Sequence, residues 1–206
     1  MSKVDLKKTF KNLYNAKPGQ ILEVDVPEIA FIMVEGKGDP NNSPQFQEAI
    51  EVLYGLSYTL KFMAKFGAEA VDYVVMPLEA LWWAEDMSVF DTGVKYDWLW
   101  TLMIMQPDLV TDEMFREGIN QFRRKKGKTV PASLDSVRFE RFREGLSAQT
   151  MHIGPYSAEK ATIAALHDYI REQGRSPRGK HHEIYLSNPQ RVAPEKMRTL
   201  IRQPMK

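Results

Sequence analysis

The sequence predicts an α+β fold made from a duplicated strand-helix-strand-strand unit, with antiparallel sheets that form a central ligand cleft. Three observations carry this expectation. The order strand, long helix, strand, strand can be read twice along the chain. Each helix is entered through a glycine-bearing turn, MVEGKG in the first half and MHIGPYS in the second. An acid-bearing apolar strand then follows each helix, with Glu79 in PLEALWW and Glu183 in HHEIYLS. Two such units facing each other leave a groove along their pseudo-twofold axis, the default place for a ligand.

One domain of 206 residues is expected, with a lead-in over 1–25, a first repeat over 26–106, a connecting helix over 107–130 and a second repeat over 131–206. The lead-in carries Val4, Leu6, Phe10 and Leu13 at loose helical spacing before Pro18-Gly19, and is too short for a helix-turn-helix domain. IAFIMVEG, from Ile29, is dense in β-branched and apolar residues and predicts a buried strand. Ser43 can cap the helix that follows over 43–66, with Pro44 at its first position and Phe46, Ile50, Leu53, Leu56, Leu60 and Met63 as its stripe. DYVVMPLEALWWAED and YDWLWTLMIMQP read as strands, the first with Pro77 at a bulge or edge and the two separated by the turn-like DTGVK.

In the connecting helix Thr111 serves as cap, and Met114, Ile119 and Phe122 form a thin stripe. The basic residues at its end, Arg123 to Lys128, fit the negative pole of a helix better than a phosphate site, since no aromatics are interleaved with them. VRFERFREG reads as a hairpin strand and LSAQTMHI as another, ending at Gly154-Pro155. Ser157 is the expected cap of a second helix over 157–173 with Ile163, Leu166 and Ile170 on one side. HHEIYLSNP and MRTLIRQPM complete the second repeat.

Composition narrows the function. Lys and Arg total 28 against 27 Asp and Glu, so a net charge of +1 gives no field to gather nucleic acid or an acidic membrane. The absence of cysteine excludes disulfides, thiolate metal sites and cysteine nucleophiles. His181 and His182 are adjacent and face opposite ways in a strand, so no metal is expected, and Gly36-Lys37-Gly38 lacks the rest of a phosphate-loop pattern, so no other cofactor is expected. No apolar run approaches a membrane span, and a cytoplasmic location is expected.

Strand alternation puts His181, Glu183 and Tyr185 on one face of HHEIYLS and turns Ile184 and Leu186 towards whatever covers the sheet from behind. An acid among aromatics suits a small-molecule site. Trp83, Trp98 and Trp100 are candidate ring walls with core packing as the alternative, and Met33, Met105 and His181 are candidate lining.

HIGPY before a helix, EIYLSNP near the end and MPLEALWW in the first half occur in an order that resembles the GyrI-like small-molecule-binding family, over roughly 25–206. That domain also forms the drug-sensing half of multidrug regulators such as BmrR. The resemblance implies two strand-helix-strand-strand units around a cleft, with Glu183 at the position of the family's ligand-contacting acid. The chain looks like the stand-alone branch, whose members include hydrolases of cyclopropanoid DNA-alkylating natural products, an activity of drug resistance and detoxification. Under that implication Glu183 deprotonates a water aimed at the cyclopropyl carbon, and Tyr185 or Tyr156 hydrogen-bonds the dienone oxygen as it gains charge. Two other readings remain open: a multidrug-binding or sequestering protein without chemistry, for which the same acid and ring faces suit a lipophilic cation, and a protein-interaction module such as a gyrase modulator.

Overall fold

Alternation followed by an unbroken apolar run makes Leu22–Lys37 a single strand, β1, in the computed structural model, which describes residues 3–68, 70–85 and 97–206. It starts seven residues before the strand expected from Ile29. The early part alternates between buried and exposed positions as far as Pro27, and continuous burial begins only at Ile29. The buried run alone had the signature of a strand. Two short helices precede it, α1 (Leu6–Thr9) and α2 (Lys11–Tyr14).

Helix α3 (Pro44–Phe66) begins as the sequence requires, with Ser43 Oγ accepting from the Phe46 amide at 3.2 Å and Pro44 where no amide donor is needed. The strands β2 (Leu78–Trp83) and β3 (Leu99–Met105) follow. Pro77 lies just ahead of β2 rather than at a bulge within it, and DTGVK lies outside the described residues. Helix α4 (Asp112–Lys126) is capped by Thr111, whose Oγ1 accepts from the Met114 amide at 3.2 Å. Three cations of its basic end are paired: Arg123 meets Asp135 and Arg124 meets Glu117, each at 2.7 Å, and Lys126 meets Glu51.

The two strands expected between 137 and 153 are one, β4 (Arg138–Ile153). Gly145 marked the apparent end, and its φ of 75° explains the signal: the backbone takes a left-handed step there while the strand continues. Ser157 is not a cap. A 3₁₀ turn over Tyr156–Ala158 comes first, and α5 (Lys160–Glu172) starts from Glu159 without a side-chain cap. The strands β5 (His181–Tyr185) and β6 (Arg198–Pro204) close the chain. The order β1-α3-β2-β3 is thus repeated as β4-α5-β5-β6.

The described chain forms two compact units. The first holds the described residues of Met1–Thr9, Ile29–Met76 and Trp83–Phe142. In it β1 and β3 pair antiparallel from Phe31 opposite Met105 to Lys37 opposite Leu99. Trp100 stands opposite Gly36 and meets the Phe46 ring edge-on at 5.1 Å, so the glycine gives the indole room under α3. Val52, Phe122 and Leu134 join α3 to α4.

The second unit holds Phe10–Glu28, Pro77–Trp82 and Arg143–Lys206. Its antiparallel strands run in the order β2, β5, β6, β4. Ala148 and Ile201 of that sheet pack on Leu166 and Ile170 of α5. The repeat in sequence is therefore not the unit in space, because β2 pairs with β5 of the other repeat.

Candidate active site

β5 is paired on both sides, by β2 and by β6, so it is an interior strand; His182 and Ile184 are buried on one face, and His181, Glu183 and Tyr185 are partly buried on the other. Register decides which side chains meet. Glu183 is opposite Ala80 on one neighbour and Ile201 on the other, and Tyr185 is opposite Thr199. Residues directly opposite share a face, and Ile201 packs on α5. Glu183 and Tyr185 therefore lie on the helix-covered side of the sheet. Ile184 and His182 point the opposite way, as alternation requires, and are buried there; the side that α5 covers is the one with Glu183 and Tyr185.

On the helix side the Tyr185 hydroxyl donates to Glu183 Oε2 at 2.7 Å and accepts from Trp82 Nε1 at 3.3 Å. His181 Nε2 lies 3.4 Å from Glu183 Oε1. The Tyr156 ring meets the Tyr185 ring edge-on, with centroids 5.5 Å apart. Glu159, at the start of α5, brings a second carboxyl against Glu183 and the Thr199 hydroxyl.

Two carboxyls in contact cannot both stay charged at ordinary pH. Burial pushes the Glu159 carboxyl up and the Glu183 charge pushes it further, to about 9, so Glu159 holds a proton at neutral pH. Burial acts upwards on Glu183 too. There His181, the Tyr185 hydroxyl and Glu159 outweigh it and hold the carboxyl below its usual range. Burial and the neighbouring Glu183 charge raise Tyr185 well above the usual phenol value, so it stays a donor. The arrangement is an ionised carboxylate, a neutral carboxylic acid and a phenol, set beside aromatic rings.

The opposite face of the same sheet carries a second polar chain. Tyr14 donates to Glu79 Oε1 at 2.7 Å, and Glu79 Oε2 is 3.0 Å from His182 Nε2. His182 Nδ1 is 3.0 Å from Glu144 Oε1, while Arg202 donates to Glu144 Oε2 at 3.0 Å, to Gln149 Oε1 at 2.9 Å and to the Leu13 carbonyl at 2.6 Å. Burial opposes the charge on Glu144, but His182 and Arg202 overcome it and hold the acid at about 2. Burial likewise opposes charge on His182, and Glu144 with Glu79 lifts it to about 9. Glu79 and Glu183, the acids that the sequence repeat sets side by side, point to opposite faces, because Glu79 is opposite Ile184 and not Glu183.

The remaining candidates divide between the units. His181, Glu183, Tyr185 and Tyr156 come together in the second. Trp83, Trp98, Trp100, Met33 and Met105 belong to the first. Trp100 is fully buried beneath α3, which leaves none of its surface for a ligand, and Met33 and Met105 are buried as well; Trp83 and Trp98 are half-buried. Trp82, not Trp83, reaches the Glu183 cluster, because it is opposite His181 in the β2–β5 ladder. Glu159 carried no signal of its own. An acid where a helix begins complements the helix dipole in many helices. No group of three or more His, Asp or Glu side chains with metal-holding geometry occurs among the described residues, and no helix among them is long and apolar enough to cross a membrane.

The family model for the GyrI-like small molecule binding domain matches residues 20–206. Among solved structures, an uncharacterized conserved protein from Listeria innocua is 40% identical with a TM-score of 0.89, over 99% of this chain and 100% of that one. A hydrolase from the same organism is 38% identical with a TM-score of 0.87, over 100% of both chains. A second structure of a Listeria innocua hydrolase is 37% identical, with a TM-score of 0.85, over 99% of this chain and 100% of that one. The C-terminal domain of EcmrR, at 11% identity and a TM-score of 0.55 over 91% of this chain and 97% of that one, shares the fold. No curated protein matches the chain.

Proposed function

The chain belongs to the GyrI-like small-molecule-binding domain family, and from that premise we propose that it is a hydrolase acting on flat, lipophilic aromatic compounds, with the cyclopropane of cyclopropanoid DNA-alkylating natural products as the bond it opens. One observation carries the chemical part: Glu183 accepts from the Tyr185 hydroxyl, has His181 Nε2 at 3.4 Å and a second carboxyl beside it, surroundings that favour charge on Glu183 and a proton on Glu159. An oriented carboxylate is the element needed to take a proton from water. Two relatives named as hydrolases, at 37% and 38% identity over the full chain, support the reaction class.

In this reading the Tyr156 ring, exposed beside Tyr185, offers a face to a planar ligand. The water oxygen bonds to the less hindered cyclopropyl carbon as its proton passes to Glu183. The strained carbon–carbon bond breaks, and its electron pair moves through the ring to the dienone oxygen, leaving a phenol after protonation. Tyr185 is already committed to Glu183 and Trp82, so its part is to aim the base. Drug resistance by detoxification in the cytoplasm is the corresponding cellular role.

Mass spectrometry of the products tests the proposal. Wild-type protein incubated with a cyclopropane-bearing alkylator is expected to release the ring-opened alcohol in many equivalents per protein. Glu183→Gln keeps shape and hydrogen bonding while removing the base, and is expected to bind the compound but lose on the order of 10²-fold in turnover. Recovery of intact compound at one equivalent per protein points to sequestration and rejects the hydrolase. Multiple turnovers unaffected by Glu183→Gln remove Glu183 from the role of base.

A further inference from the structure

Two side chains of the second unit are almost wholly buried and still carry an oxygen without a hydrogen-bond partner among the described residues. Glu159 is 4% exposed with Oε1 unpartnered, and Thr199 is 1% exposed with Oγ1 unpartnered. Both stand beside the Glu183–Tyr185 pair. Thr199 is opposite Tyr185 in the β5–β6 ladder, and the Glu159 carboxyl lies near both Glu183 and Thr199, close enough to be influenced by each but without a hydrogen bond to the Thr199 hydroxyl. A buried polar atom left unsatisfied is costly, and two of them next to an ionised carboxylate mark a place built to hold a polar group of something bound.

Resting on the hydrolase reading above, we propose that Glu159 is a second catalytic residue, the general acid that protonates the ligand oxygen on which charge builds while Glu183 takes a proton from the attacking water. The assignment gives the two carboxyls a closed proton cycle. Before reaction Glu159 carries the single proton of the pair. Water delivers one proton to Glu183 as its oxygen bonds to carbon, and the Glu159 proton goes to the oxygen that receives the electron pair. Glu183 then carries the proton and Glu159 the charge. Transfer of that proton back along their mutual contact restores the starting state, and the net reaction is addition of one water across the broken carbon–carbon bond. No other proton donor is consumed.

The surroundings favour a neutral Glu159 over a merely capping one. At a helix start the backbone amides favour a charged acid, yet here burial first and then the neighbouring Glu183 charge raise the carboxyl. The ionisable groups nearest the pair on this side of the sheet are Glu183, His181 and Tyr185 from β5, His152 from β4, His167 from α5 and Tyr156 from the preceding turn, while Tyr169 of α5 packs on the same face and donates to Glu23, and Asp168 and Arg171 of α5 act on His167. His152 is held by the Thr162 hydroxyl at 2.9 Å and the Pro155 carbonyl at 3.3 Å. His167 is held low, by burial first, with the neighbouring His181 acting in the same direction. Lys160, next in sequence, is exposed to solvent.

Glu159→Gln, which keeps the side chain's shape but has no proton to give, is the test. The variant is expected to bind the alkylator with unchanged affinity, to lose on the order of 10²-fold in kcat, and to lack the fall in kcat expected of wild type as pH rises past about 9. Equal turnover with the same alkaline limb overturns the assignment. A structural readout runs in parallel: the infrared carbonyl band of a protonated carboxyl is expected in wild type at neutral pH, titrating out near pH 9, and absent from Glu159→Gln. If that band persists in Glu159→Gln the proton sits elsewhere and the proposal fails, even in an active enzyme. Glu159→Asp, which retains the acid on a shorter arm, is expected to keep the alkaline limb with reduced kcat; its loss there also counts against the assignment. Failure of the hydrolase reading itself appears differently, as wild type without turnover.

Discussion

Replacing Glu144 with Gln removes one charge from the middle of the buried chain that runs from Tyr14 through Glu79, His182 and Glu144 to Arg202, and leaves two cations short of their counterion. The acid is held at about 2 from an ordinary 4.5, a shift that corresponds to roughly 3 kcal/mol. The rise of His182 from 6.5 to about 9 is the other side of the same contact and is not added. Breaking a buried pair by removing one partner costs about 3–5 kcal/mol, so a loss of roughly 3 kcal/mol is expected, or roughly 6–12 °C in Tm for a chain of this size. The pH dependence identifies the cause. Glu144 is depressed, so its contribution is present above 4.5 and is lost as pH falls towards 2. His182 is raised, so its share is complete below 6.5 and is lost as pH climbs through about 9. Urea denaturation followed at several pH values should therefore show the deficit of Glu144→Gln at its largest between 4.5 and 6.5, shrinking to roughly half by about pH 3, where wild type is losing the same charge. A deficit below about 1 kcal/mol near pH 6, or one that stays constant down to pH 3, would refute the network as the source of stability.

Two further substitutions test the packing that carries the helices. Gly36→Ala puts a Cβ within 2.2 Å of the Trp100 indole; overpacking of this kind costs roughly 1–3 kcal/mol, and a thermal midpoint equal to wild type would remove the close contact from the account of the first unit. Ser43→Ala deletes the acceptor for the Phe46 amide at the start of α3 and should cost about 1 kcal/mol, with Ser43→Asp restoring it; a loss that Asp does not recover argues against capping as the cause.

The repeat order, the caps at Ser43 and Thr111 and the position of β5 were legible because each depends on neighbours within a few residues. Boundaries failed where a local signal competed with a distant partner. Gly145 has the backbone step of a strand end, yet pairing with β6 starts at Ser147 and the strand runs through. The beginning of β1 was hidden because Pro27 and the exposed positions before it dilute the apolar run. Ser157 has the chemistry of a cap, but the chain first makes a 3₁₀ turn and the helix starts at Lys160.

The candidate site was half visible for a similar reason. Alternation along β5 is a local property, so His181, Glu183 and Tyr185 could be placed on one face from sequence. Which layer covers that face is not local. It follows from Ile201 standing opposite Glu183 and packing on α5, and the same register sends Glu79 to the far side, into the Tyr14 and His182 chain, although the sequence repeat sets the two acids side by side. Trp82 and Glu159 enter only through that register and through the packing of α5. A duplicated sequence thus yields two chemically different faces of one sheet: a charge-balanced, fully buried one whose carboxylate at about 2 stays ionised, and one under α5 whose carboxyl at about 9 stays neutral. The difference arises from the cations. Arg202 and His182 surround Glu144, whereas Glu159 faces another carboxylate. On the first face cations tie up both oxygens of the carboxylate, whereas the second sets a protonated carboxyl beside a carboxylate, and that pairing is the ground for proposing the chemistry on the side with Glu183.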